Sequence, residues 1–222
     1  MTARRWTLRP SLRPRTVERG QGLVEFAITL PIFMLLLIGM LEFGIMFDHH
    51  LSLSYASREG ARTASALSNG GGPLGCGGSG SPNWASVDPQ IVAAVERVLT
   101  SPGSLVTLPN IQQIKIYKAN SSGGQVGGNV NVWTYDPGNG PTVDGKSLDF
   151  SQQSVGWQAC ARNNTWDCTV NPCSPPDSIG VAVTYRYDFQ TGLGAILRFF
   201  GGTTFSSVQM SDDTVMALNP TD

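Results

Sequence analysis

The longest apolar segment of the chain lies close to its N-terminus and has the length of a membrane-spanning helix. From Ala27 to Leu41 no residue is charged, and the apolar stretch reaches Phe47 if Glu42 is accepted near its end. At ~1.5 Å of rise per residue these positions cover the thickness of a bilayer's hydrocarbon core, roughly 30 Å. The pattern predicts one membrane span, in which Pro31 is expected to kink the helix rather than break it.

Beyond the span, a helical pattern continues through Leu67. Small and apolar residues recur at spacings of three and four, so one face of the helix is expected to lie close against a sheet or a sister helix. The charged neighbours Arg58, Glu59 and Arg62 are expected to face water. The recurring residues are Leu53, Ala56, Gly60, Ala64 and Leu67.

Glycines then dominate the chain, and residues 69–86 are predicted to form a linker. The linker lacks the spacing of a phosphate-binding loop. A short helix is predicted from Asp88 to Thr100, with Pro89 in its first turn and an apolar face on one side.

The rest of the chain, residues 87–222, is predicted to form an α+β domain with a three- or four-stranded antiparallel sheet covered on one side. The strongest strand signal runs from Ile179 to Phe189, where apolar and mostly polar residues alternate. A short amphipathic helix is expected at residues 193–200, and a last strand pair or bulged strand at residues 203–218. The predicted architecture is thus a small sheet behind a long N-terminal helix.

Charge is distributed unevenly although the net charge is only −1. Residues 1–20 contain six arginines and one glutamate, and the remaining residues carry an excess of six acidic groups. A basic head directly before an apolar span is typical of retention on the cytoplasmic side, which would place the later residues outside the cytoplasm. A basic nucleic-acid-binding arm would not explain the adjoining span.

The junction between this head and the span has the pattern of a prepilin cleavage site. Gly20 offers an unhindered carbonyl, Gln21 follows it, and Glu25 and Phe26 stand at the entry to the span. Cleavage between Gly20 and Gln21 would remove the leader and create an α-amine that is charged at neutral pH. The amine of a neighbouring subunit could then neutralise Glu25, which alternatively could extend to the lipid headgroups.

Several short motifs follow one another in order between residues 20 and 64. They are Gly20 to Ala27, Leu30-Pro31, Gly39, Leu41-Glu42-Phe43-Gly44, and Ala56 to Arg62, the last containing Arg58, Glu59 and Gly60. Together they resemble the TadE-like family of tight-adherence (Tad/Flp) pilus proteins. The glycine-rich and cysteine-bearing insertions of this chain depart from the shortest members of that family.

The resemblance implies a minor pilin-like subunit, or pseudopilin, without catalytic residues or cofactors. It implies processing by a prepilin peptidase, a single-pass location in the bacterial inner membrane, and oligomers formed with other pilin-like subunits beside the assembly platform. The alternative is a membrane-anchored extracytoplasmic binding or adhesion module that never enters a pilus. A cleaved secretory signal is disfavoured because the apolar run is long and the nearest small-residue cleavage candidate lies well beyond it.

Glu42 is the one acidic residue in the apolar run beyond Glu25. We expect it to lie at the outer interface and reach water, with a partner contact inside the membrane as the alternative. His49 and His50 are expected to be solvated at headgroup level. Because they are consecutive, their side chains point in different directions and are poorly placed to bind one metal ion together.

Four cysteines fall on the side of the membrane where disulfides persist, and they allow three pairings. The favoured pairing joins Cys160 to Cys168 and Cys76 to Cys173. No Cys-x-x-Cys motif supports a zinc site, and residues 136–149 miss the spacing of a calcium loop, which favours a turn-rich loop. No recognised hydrolase or metalloprotease motif is present, so an enzyme is not predicted.

Overall fold

The computed structural model describes residues 20–67, 84–166, 168, 172–196 and 207–218. The predicted α+β class is confirmed: a long N-terminal helix is followed by a sheet-rich domain, called here the C-terminal domain, which comprises the described residues from 84 to 218. The helices and strands are α1 (Gln21–Leu67), α2 (Val87–Leu99), β1 (Ile111–Ala119), β2 (Gln125–Tyr135), β3 (Thr142–Val143), β4 (Lys146–Ser147), β5 (Phe150–Val155), β6 (Ser178–Asp188) and β7 (Ser207–Ala217).

Helix α1 is one uninterrupted helix of 47 residues, and it ends at Leu67 as the sequence pattern predicts. Pro31 lies inside it without ending it. A proline removes one backbone hydrogen bond, and here the helix continues through it. Helix α2 begins one residue before the predicted helix and ends one residue before its predicted last residue, Thr100.

The main sheet has five strands in the order β5-β2-β1-β6-β7, and all neighbours are antiparallel. The expectation of three or four strands is therefore wrong. The additional edge strand is β5, whose Ser-Gln-Gln-Ser centre carries no apolar alternation. Strand β7 is one strand in continuous register with β6, not a strand pair. The predicted turn-rich loop contains the two short strands β3 and β4, which pair with each other.

One face of the sheet is covered by α1 and α2, and the apolar core lies between these layers. The apolar side chains of β6 that face this core are buried from Ile179 to Tyr187, as their alternation predicts. Gly60 of α1 lies where the layers meet: a Cβ there would be 2.6 Å from Val95 of α2 and 3.0 Å from Val181 of β6. The predicted stripe of small residues thus lies against the sheet.

The opposite face of the sheet has its own local packing at a glycine. The ring of Tyr117 in β1 lies over Gly180, its cross-strand partner in β6, where a Cβ would be 2.2 Å from the ring. The Tyr117 hydroxyl donates to a carboxylate oxygen of Asp213 in β7 at 3.0 Å. Burial, together with this hydrogen bond and the negative charge of Asp213, raises the pKa of Tyr117 to about 12.

A buried polar network joins the start of α2 to β2 and to the segment after β5. The guanidinium of Arg162 is fully buried, donates to the Asp88 carboxylate at 2.6 Å, and stacks over the Trp157 ring with 4.8 Å to its centroid. The Asn131 amide donates to the other oxygen of Asp88 and accepts from the backbone N–H of Trp157. Because the buried Arg162 charge meets the Asp88 carboxylate, the network fixes how α2 enters the domain.

Several expectations fall outside the described residues. They are the leader up to residue 19, the linker up to residue 83, Cys76, and residues 197–200 of the predicted amphipathic helix. Residues 193–196 are helical, in agreement with the predicted start of that helix, and the last linker residues, Trp84–Ser86, form a 3₁₀ turn.

Candidate functional site: the long helix and its junction with the C-terminal domain

The N-terminal end of α1 leaves the predicted cleavage residues uncovered. Gly20 stands just outside the helix, and its carbonyl accepts a hydrogen bond from the Val24 N–H at 3.2 Å. Gln21 is the first helical residue, and its side-chain amide donates to the Glu25 carboxylate at 3.0 Å. Glu25 and Phe26 are exposed. The bond between Gly20 and Gln21 thus lies at the boundary between turn and helix, with no part of the C-terminal domain against it.

The following apolar residues are exposed around the helix. None of the residues from Gln21 to Leu41 is buried, and Leu23, Phe26, Met40 and Leu41 are among the most exposed large apolar side chains. Gly39, like Gly44 further along, has no neighbouring atom within 4 Å of a hypothetical Cβ. Exposing so much apolar surface to water is unfavourable in free energy, so this half of α1 requires lipid or other helices around it.

Glu42 is the first residue of α1 that the C-terminal domain buries. Its carboxylate is 2% exposed and accepts hydrogen bonds from the Tyr187 hydroxyl and from the backbone N–H groups of Gln190 at 2.9 Å and Thr191 at 2.8 Å. The expectation that Glu42 reaches water is wrong, because the end of β6 supplies the donors that water would otherwise provide. Burial, reinforced by the Glu42 carboxylate, raises the pKa of Tyr187 well above its usual range.

One face of α1 becomes covered from here on, while the other stays apolar and exposed. Phe43 and Phe47 point away from the domain and stack on each other with their ring centroids 6.4 Å apart. His49 lies on the covered face and contacts the rings of Tyr185 and Tyr187 at 5.5 and 5.1 Å between centroids. Its buried position overturns the expectation of headgroup solvation, whereas His50 is exposed.

The two β6 tyrosines explain the burial of His49. His49 hydrogen-bonds the Ile45 carbonyl one turn earlier at 2.8 Å, so one ring nitrogen is satisfied within the helix while the ring itself contacts two aromatic side chains, one tilted and one edge-on. The small-residue periodicity begins at Leu53, but the same spacing carried back by four, four and three residues reaches His49, Ile45 and Glu42, so it could have indicated that His49 and Glu42 lie on the covered face. The alternation in β6 does place Tyr185 and Tyr187 on the core face, which was the available sign that an aromatic pair lies against the helix.

Further along, serines of α1 bind β7. The Ser57 hydroxyl donates to the Asp212 carboxylate at 2.5 Å and lies 3.0 Å from the Thr214 hydroxyl. The Ser65 hydroxyl donates to the carbonyl of Ala217 at 2.7 Å. Sequence reasoning missed these residues, because short polar side chains on a small-residue face look the same whether they bond a neighbouring strand or their own helix.

The charged residues of the post-membrane motif behave as predicted. Arg58 and Arg62 are exposed, and Arg62 lies 3.9 Å from Glu59 in a surface ion pair that contributes little to stability. Gly60 faces inward at the α1–α2–β6 contact. The motif therefore combines one residue whose smallness allows close packing with three that remain available on the surface.

The cysteines pair differently from the favoured expectation. Cys168 bonds to Cys173, so neither the Cys160–Cys168 nor the Cys76–Cys173 bond is formed. A bond across five residues closes a local loop, which requires far less chain ordering than a bond between distant segments. Cys160 is also in a disulfide, and Cys76 lies outside the described residues. Within the described ranges, no group of three His, Cys, Asp or Glu side chains is arranged to hold a metal.

These features define the class of protein: an α+β domain carried on one helix that is long and apolar enough to cross a membrane, as expected of a single-pass anchor. The family model of TadE-like proteins matches residues 20–62 and confirms the predicted resemblance over that segment. Proteins of that family are associated with the Tad pilus, are structural rather than catalytic, and interact with other pilus components. Searches of the curated proteins and of the solved structures found no match.

Proposed function

We propose that this chain is a minor pilin-like subunit, a pseudopilin, of a tight-adherence pilus and that a prepilin peptidase cleaves it between Gly20 and Gln21. The observation that carries the proposal is the position of the family match, residues 20–62, on a helix whose first half is bare. A subunit of this kind needs an accessible cleavage site and an apolar rod that packs first against lipid and then against other helices. The exposed half of α1 meets both requirements, because the predicted cleavage site lies at its start and its apolar side chains are uncovered.

Accessibility of the cleavage site supports the proposal. A peptidase must bind the chain on both sides of the cut, and a Cβ built at Gly20 or at Gly22 meets no atom within 4 Å. Cleavage would make Gln21 the first residue of α1 and Glu25 the fifth. The charge of the new α-amine is then available to a Glu25 carboxylate of a neighbouring subunit, which would set the axial register between packed helices.

The orientation we propose follows from charge and cysteine chemistry. The arginine-rich head lies on the cytoplasmic side of the inner membrane, and the C-terminal domain lies outside. A disulfide such as Cys168–Cys173 persists in that oxidising compartment. Other pilin-like subunits and the inner-membrane assembly platform are the proposed partners of the bare helix.

Processing can be tested by substituting two glycines in turn, one at the predicted cut and one two residues after it. The full chain is produced with an active or an inactive prepilin peptidase, and the N-terminus of the membrane-bound protein is determined by mass spectrometry. We expect Gln21 to be the first residue only with the active peptidase. Gly20→Ile should block the cut by crowding the reacting carbonyl, whereas Gly22→Ile should be cut. An intact leader in the parent chain with the active peptidase refutes the proposal.

Incorporation into a pilus is tested separately from processing. Glu25→Gln keeps the shape of the side chain but removes its charge, so we expect normal protein levels, normal cleavage and impaired pilus assembly. Glu59→Gln, which neutralises an exposed acid on the same helix, is the matched control. Normal assembly with Glu25→Gln would favour a permanently anchored binding module instead.

A further inference from the structure

We propose that the end of the C-terminal domain beside Glu42 rests on the outer surface of the bilayer and contacts lipid through an apolar rim. We define this rim by Leu105, which follows α2, and Val208, in β7. The inference builds on the proposed membrane anchoring of α1, and it adds a second membrane contact made by the folded domain itself. The partner is a lipid surface, recognised by apolar side chains next to the exposed face of α1.

The first step is the direction in which α1 crosses the domain. Glu42 bonds Tyr187 near the end of β6, Gly60 lies against Val181 in its first half, and Ser65 bonds Ala217, which is paired with the first residue of β6. Helix α1 therefore runs antiparallel to β6. The end of the sheet where β6 finishes and β7 begins faces the N-terminal half of α1, which is the half predicted to lie in the membrane.

The second step is the position of the bilayer boundary along α1. If the hydrocarbon begins at Gln21, about 30 Å of helix brings its outer boundary to Leu41, directly before Glu42. If it instead covers Ala27 to Phe47, Glu42 lies about 7 Å inside the boundary. The domain's contact with Glu42 therefore lies at the lipid boundary in the first placement and just inside it in the second.

The third step is the chemistry of the domain at that level. Val208 is the cross-strand partner of Tyr187, which binds Glu42, and it remains 38% exposed. Leu105 is 53% exposed and stands two residues before Thr107, whose hydroxyl lies 3.3 Å from that of Tyr185. Two large apolar side chains at this end are therefore only partly covered by the described part of the domain, and lipid would cover the rest.

The Glu42 contact fits the same arrangement. A bare carboxylate at the lipid boundary would have to reach water, whereas here a hydroxyl and two backbone N–H groups satisfy it inside the protein. The domain thereby presents apolar side chains toward the lipid and keeps the acid turned inward. Phe43 and Phe47 extend the apolar surface on the outer side of α1.

The chain contains a matched control for the rim, namely an exposed apolar residue far from the predicted membrane. Val155 in β5 is 53% exposed, as Leu105 is. Its strand register runs through Asn131 and Ile116 to Val181, which is level with Gly60. Gly60 is 18 residues beyond Glu42, or about 27 Å along the helix. Val155 thus matches Leu105 in exposure and Val208 in residue type, and it differs from both in its distance from the predicted bilayer.

The test places an environment-sensitive fluorophore at single cysteines in the full chain, reconstituted in lipid nanodiscs. Every described cysteine is in a disulfide, so the added thiol is the labelling site there. The variants are Leu105→Cys and Val208→Cys on the rim, Val155→Cys as the control, and Leu36→Cys within the span. Quenching is measured with nitroxides attached to lipid headgroups and, separately, to the middle of the acyl chains.

We expect headgroup nitroxides to quench both rim labels several-fold more strongly than the Val155 label, and mid-chain nitroxides to quench the Leu36 label. If the Leu36 label is quenched while the rim labels match Val155, the helix spans the membrane but the domain does not touch it, and the inference is wrong. If the Leu36 label is not quenched either, the membrane anchoring itself is refuted and the inference falls with it.

Discussion

Gly60 is the residue whose substitution most directly tests how α1 is joined to the sheet. An alanine Cβ at this position would lie 2.6 Å from a methyl carbon of Val95 and 3.0 Å from one of Val181, and both valines are fully buried. Overpacking of this kind costs roughly 1–3 kcal/mol. Replacing glycine by alanine within a helix regains about 1 kcal/mol. Gly60→Ala should therefore be destabilising by up to about 2 kcal/mol.

The assay is thermal unfolding of the full chain in detergent, followed by tryptophan fluorescence and near-UV circular dichroism. For a protein of this size 1 kcal/mol corresponds to about 2–4 °C, so Gly60→Ala should lower the melting temperature by several degrees. Gly44→Ala is the matched control, because a Cβ at Gly44 meets nothing within 4 Å in the same helix. It should be neutral or slightly stabilising.

A double-mutant cycle with Val95→Ala isolates the proposed contact. Val95→Ala alone leaves a cavity and destabilises the domain. In the Gly60→Ala background it also makes room for the new methyl group, so its cost should fall by about 1 kcal/mol or more. If Gly60→Ala matches Gly44→Ala and the two substitutions are additive, α1 does not pack here as closely as the structure indicates.

Three further predictions concern polar contacts. Glu42→Ala should increase hydrogen exchange at the two backbone amides bonded to Glu42 at least tenfold, since hydrogen bonds to a charged group contribute about 1.5–3 kcal/mol, while Glu59→Ala should leave them unchanged. Tyr117→Phe should reduce the loss of stability at alkaline pH. A phenol whose pKa is raised in the folded state stabilises the fold below pH 10, the pKa of the unfolded state, and this contribution disappears as the pH rises through about 12. Equal alkaline unfolding profiles of the variant and the parent chain would contradict this. Asp88→Ala should cost about 3–5 kcal/mol in chemical denaturation because Arg162 stays buried without its counter-charge; a cost below 1 kcal/mol would show that water replaces the carboxylate.

The sequence predicts the helices of this protein better than its sheet. The end of α1, the inward position of Gly60 and the limits of α2 follow from helical spacing, because amphipathic periodicity is local. The alternation in β6 is also local, and its buried face is as predicted. Strand β5 was missed, because an edge strand needs no apolar alternation when its partner β2 supplies the hydrogen bonds.

The junction between α1 and the domain could not be predicted from local pattern. Glu42 and Tyr187 are separated by 145 residues, and nothing in the apolar run shows which strand end will supply donors to its acid. The same limitation applies to Ser57 and Asp212. The prepilin motif, by contrast, is contiguous, and for that reason it was recognisable from the sequence.

Because α1 passes from the predicted membrane span into the domain core as a single helix, the domain has no hinge at its base. The stretch from Glu42 to Leu67 is about 38 Å long. A span inclined by ~20°, an ordinary value for membrane helices, would carry the far end of this stretch about 13 Å sideways. A neighbouring helix that tilts the span would thus displace the whole domain sideways.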